Sequence, residues 1–95
     1  MPLYENVRNE DVAVGTTAVR LSVGHVRQEL TIENSSTGGQ VLRLAFGKVA
    51  STTIGMPMQP YTFYSVTAGE RFRIFAGDIW IISSAAGGQV SIFER

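Results

Sequence analysis

The sequence predicts an all-β fold: a single small β-sandwich or jelly-roll-like barrel of about seven or eight short antiparallel strands. Three observations carry that expectation. Apolar and polar residues alternate with period two in run after run, as where Val19, Leu21 and Val23 oppose Ala18, Arg20 and Ser22. Period two is the pattern of a strand with one buried face. No stretch repeats its apolar residues at three-to-four spacing over two turns of helix. Finally, clusters of Gly, Ser, Thr, Asn and Asp separate the runs, as turns require.

Residues 2–11 form a polar opening, with Glu5, Asn6, Arg8, Asn9, Glu10 and Asp11 close together, and 1–11 reads as an N-terminal arm. The sandwich domain is expected over 12–95, opening with a short strand from Val12 to Val14 that ends at Gly15. A second strand follows over 17–23, and Gly24-His25 reads as a tight connection. Gln28, Leu30 and Ile32 then share a face, and Leu42, Leu44 and Phe46 share another after the turn cluster 34–40. The stretch 47–60 holds Gly47, Gly55, Pro57 and Pro60. Because proline cannot donate to a ladder, this is a long loop with at most one irregular edge strand.

Strand resumes over 61–66 and leads into a glycine-punctuated meander over 66–95, in which Phe72 and Ile74, then Ile79 and Ile81, then Val90 and Ile92 face inward. The expected core is Val19, Leu21, Leu30, Ile32, Leu42, Leu44, Phe72, Ile74, Ile79, Ile81, Val90 and Ile92, since a one-residue slip would reverse every side chain. The stretches 32–41 and 81–90 echo each other, Ile-Glu-Asn-Ser-Ser-Thr-Gly-Gly-Gln-Val against Ile-Ile-Ser-Ser-Ala-Ala-Gly-Gly-Gln-Val. They read as two hairpins of one geometry.

A chain of 95 residues makes one domain with a thin stability margin, which favours assembly with further copies. Eight basic and eight acidic residues cancel, so the clustered positive excess of a nucleic-acid binder is not visible. Cysteine is absent, which excludes disulfides, thiolate metal sites and a cysteine nucleophile. No signal peptide is visible, and the apolar runs are too short for a membrane-spanning helix. The single histidine, His25, sits in an expected turn without the companions that a metal site or a triad needs. It reads as a surface or interface histidine. Gly38-Gly39 and Gly87-Gly88 lack the following helix of a phosphate-cradling loop and read as turns. No catalytic, cofactor or metal site is expected.

The aromatic residues are more informative. Phe75, Trp80, Ile82 and Phe93 oppose the inward set and amount to a second apolar face. A second sheet, another subunit or a bound sugar would each account for such a face. Trp80 beside Asp78 is the one candidate for the sugar reading.

Three stretches carry a resemblance: Leu30-Thr31-Ile32-Glu33-Asn34, the run from Val41 to Gly47, and the ending from Ile81 to Glu94. Over residues 28–94 the chain resembles the small β-sandwich decoration, or cement, proteins on the heads of tailed bacteriophages and related small virion proteins. The resemblance implies a non-enzymatic virion protein, made in the host cytoplasm, that binds the major capsid protein on the head surface as a homo-oligomer, commonly a trimer. The oligomer interface is then expected at Phe75, Trp80, Ile82 and Phe93. Capsid contact is expected from the arm and the 47–60 loop, through Tyr4, Glu5, Arg8, Met56 and Met58. A carbohydrate-binding module, or a tail or neck structural protein, is the alternative.

Overall fold

The computed structural model describes residues 7–95, and these form eight strands and no helix. The strands are β1 (Arg8–Val14), β2 (Val19–Ser22), β3 (Glu29–Asn34), β4 (Leu42–Phe46), β5 (Met56–Met58), β6 (Phe63–Thr67), β7 (Ile79–Ser83) and β8 (Gly88–Glu94). They build two four-stranded antiparallel sheets, one ordered β1-β8-β3-β6 and the other β2-β7-β4-β5. The expected all-β sandwich is what the chain forms, with the strand order of a jelly roll.

The order has a simple origin. Arg8 faces Glu94, Val19 faces Ile81, Glu29 faces Thr67 and Leu42 faces Met58. The chain is therefore one long antiparallel ribbon, folded back on itself between β4 and β5. Rolling that ribbon brings β3 against β8 and β4 against β7, and these two further ladders complete the sheets. The fold-back needs Gly47 and Gly55, whose φ angles of 80° and 128° suit glycine alone.

The core lies between the sheets, where Leu30, Ile32, Leu42, Leu44, Ile79, Ile81, Val90 and Ile92 are almost completely buried, joined by Val14, Leu21, Met58 and Ile74. Two residues expected there are not. Val19 holds an inward register position opposite Ile81, but it starts an edge strand and stays 37% exposed. Phe72 is 50% exposed, because residues 71–75 form no strand. Both neighbours of β7 in its sheet are already supplied by β2 and β4, so residues 71–75 cannot form the meander hairpin with β7. From this connection Ile74 is buried in the core and Ala68 packs against it.

Two more expectations need correction. The Ser/Gly stretches after β3 and β7 do not close hairpins; each carries the chain from one sheet to the other. They run side by side and are cross-linked. Buried Asn34 donates through Nδ2 to the Gln40 and Met58 carbonyls at 2.8 and 2.9 Å. Ser36 Oγ accepts from the Gln89 amide at 2.9 Å, and Gln40 Nε2 donates to the Ala86 carbonyl at 2.9 Å. The arm boundary also moves: strand β1 begins at Arg8, because residues 8–14 pair continuously with β8.

Candidate functional site

The period-two pattern that buries Val90 and Ile92 puts Glu94 on the same side of β8, and Glu94 is indeed buried. A carboxylate taken out of water must find donors, and four residues from three segments supply them. Ser22, at the end of β2, places Oγ 2.9 Å from both carboxylate oxygens. His25 Nε2 lies 2.6 Å from Oε1. Arg27 Nε donates to Oε1 at 3.1 Å, and Arg8 Nη1 of β1 lies 3.2 Å from Oε2. Arg27 is itself wholly buried. Its other nitrogens donate to Ser22 Oγ at 2.7 Å, to the Val23 carbonyl at 3.1 Å and to the Phe75 carbonyl at 2.5 Å.

Burial pushes the Glu94 carboxyl up, while the bonds from His25, Ser22, Arg27 and Arg8 pull it down; the donors win, and its pKa lies below the ordinary carboxylate value. Arg8 is raised, chiefly by its bond to Glu10 at 2.8 Å.

An open groove of about 570 Å³ borders this cluster, lined among others by Arg8, Arg20, Ser22, Val23, His25 and Glu94. A hydroxyl, a carboxylate and an imidazole therefore meet here, but in an order unsuited to acyl transfer. A nucleophilic triad needs the imidazole between hydroxyl and carboxylate, whereas Glu94 stands between Ser22 and His25. The arrangement works as a clamp. It binds β1, β2, the β2–β3 connection, β8 and the β6–β7 connection at one end of the sandwich.

The four residues expected on one apolar face are divided. Trp80 and Ile82 point outward from β7, while Phe93 points outward from β8 in the other sheet. Phe75 lies in the β6–β7 connection, edge-on to Phe46 at 5.8 Å. Ile82 is only 9% exposed, in a small cluster with Ala45 and Ala50 that Trp80 and Ala18 flank. The chain's own fold-back loop, through Ala50, covers this side, so Ile82 is not spare surface for a second subunit. Trp80 shares that cover. Asp78 is engaged by the Gly24 amide at 2.6 Å and by Arg20 at 3.5 Å.

Among the expected capsid contacts, Tyr4 and Glu5 lie outside the described residues. Arg8 is held in β1 by Glu10 and Glu94. Met58 is a core residue at 5% exposure, since its register opposite Leu42 turns it inward. Met56, at the start of β5, remains exposed, as do Val49 and Ile54 on the loop before it.

Fold and site together define a small eight-stranded β-sandwich whose ends are locked by buried polar clusters. Comparison of the chain with protein-family models, with curated proteins and with solved structures finds no match.

Proposed function

We propose that the protein is a non-enzymatic structural protein of a tailed-phage virion, binding the major capsid protein on the head surface as a homo-oligomer. The observation that carries this reading is the distribution of apolar side chains. The sandwich interior is filled, yet Val49 and Ile54 stand exposed on the fold-back loop beside Met56 of β5, and Tyr61, Phe63, Phe72 and Phe75 stand exposed around the sheet ends. A scaffold locked by internal clusters, with apolar side chains presented on loops, suits adhesion to another protein surface. The sequence resemblance points the same way.

In this reading the fold-back loop is the capsid-contacting segment. The test replaces Val49, Ile54 and Met56 together by serine, which leaves Ala50 and the cover over Ile82 in place. Occupancy on purified heads should fall at least tenfold with the far-UV spectrum unchanged. Wild-type occupancy would move the contact elsewhere, and locating the protein on the tail or neck of the particle would replace the head assignment.

A further inference from the structure

The outer face of the β1-β8-β3-β6 sheet carries a transverse row set by register: Asp11 beside Ser91, then Glu33, then Phe63. Asp11 accepts a bond from Ser91 at 2.6 Å, and among the described residues neither Asp11 nor Glu33 has a cationic partner. Two strand spacings separate the carboxylates, about 10 Å. The exposed Phe63 ring borders them on the edge strand.

The complementary feature sits on the β6–β7 connection. Arg71, Phe72 and Arg73 are all exposed, and among the described residues neither arginine makes an ion pair or a side-chain hydrogen bond. Separated by one residue in sequence, their Cα atoms lie no more than about 7 Å from each other, and their long side chains can reach carboxylates at the spacing above. This connection leaves β6 at Thr67, four residues or about 13 Å along the strand from Phe63. Each copy thus presents an unpaired basic pair with a phenylalanine and an unpaired acidic pair with a phenylalanine, at separate places.

We propose that these two surfaces dock on each other between copies: Arg71 and Arg73 of one subunit on Asp11 and Glu33 of the next, with Phe63 bordering the contact. The charges are opposite, guanidinium groups also stack on aromatic faces, and the zero net charge of the chain imposes no long-range repulsion. Because the two surfaces differ, the contact is head-to-tail, and such contacts close into rings when the rotation allows. The inference deepens the oligomeric part of the functional reading and does not depend on where the oligomer sits.

The experiment is charge reversal in solution. Light scattering at micromolar concentration should give an oligomer for the wild type. Arg71→Glu/Arg73→Glu and Asp11→Lys/Glu33→Lys should each weaken association at least tenfold, with circular dichroism unchanged. The quadruple variant, which restores complementarity with the signs exchanged, should associate again. A monomeric wild type, wild-type association by either double variant, or a folded quadruple variant that stays monomeric would overturn the proposal. Head occupancy, measured separately, reports on the capsid reading alone.

Discussion

Arg27→Met is the sharpest probe of the Glu94 clamp. The substitution keeps much of the side-chain volume but deletes four hydrogen bonds, to Glu94, Ser22, Val23 and Phe75. Glu94 keeps Ser22, His25 and Arg8, so its charge is not abandoned outright. Removing one partner of a buried ion pair costs about 3–5 kcal/mol. Each neutral carbonyl left unpaired adds on the order of 1 kcal/mol, less here because Val23 and Phe75 lie near solvent. A loss of about 4 kcal/mol is a large part of the total stability of a small domain. It should lower Tm by on the order of 20 °C in differential scanning calorimetry. The double-mutant cycle with Glu94→Gln isolates the pair: Glu94→Gln should cost at least about 1 kcal/mol less in the Arg27→Met background than in the wild type. A Tm drop under about 4 °C for Arg27→Met, or additive losses in the cycle, would refute the account of the clamp as the lock on this end.

Acid should open the same lock: with its folded-state pKa below the ordinary 4.5, Glu94 contributes stability above that value and loses it as pH falls through the folded pKa, so Tm should decline below about pH 4.5, and less so in Glu94→Gln. Ile82→Ala should cost about 2–4 kcal/mol with the same loss at every protein concentration, because the fold-back loop and not another subunit covers the side chain; a concentration-dependent loss would return Ile82 to an interface. Tyr61 occupies the third position of a turn closed by Thr62 N to Gln59 O at 3.2 Å, with φ at 63° and the ring 66% exposed, so Tyr61→Gly should raise stability by about 1 kcal/mol; a lower Tm would refute the strain. A Cβ on Gly88 would come within 2.8 Å of the Val14 carbonyl oxygen, so Gly88→Ala should destabilise by about 1–3 kcal/mol in urea titration.

Alternation along single runs was enough to place Leu30, Ile32, Leu42, Leu44, Ile79, Ile81, Val90 and Ile92 inside, because burial on one face leaves its period in the chain. Pairing leaves no such local trace. Nothing near Ser35 or Ala85 distinguishes a hairpin from an arch between sheets, since both need short, polar, glycine-bearing segments. The alternation at Phe72 and Ile74 likewise could not reveal that both sides of the following strand, β7, are taken by β2 and β4. The clamp had one available signal: Glu94 is in phase with Val90 and Ile92, and a carboxylate on a core face demands a cation. Its cations come from Arg8 and Arg27, 86 and 67 residues away, and no spacing rule connects positions so distant.

The rolled ribbon also fixes the order in which the molecule can be assembled. Contacts near the fold-back, between β4 and β5, span few residues, whereas among the described residues β1 has β8 as its sole ladder partner. During synthesis β1 must therefore wait for β8 to leave the ribosome, with β2 and β3 waiting on β7 and β6. Until then the first half of the chain holds open strand edges, which are prone to pairing with other chains. Folding should start at the fold-back and close toward the ends, at the slow pace of long-range β topologies, and crowding several nascent chains on one message would raise the hazard of wrong pairing before the clamp ever forms.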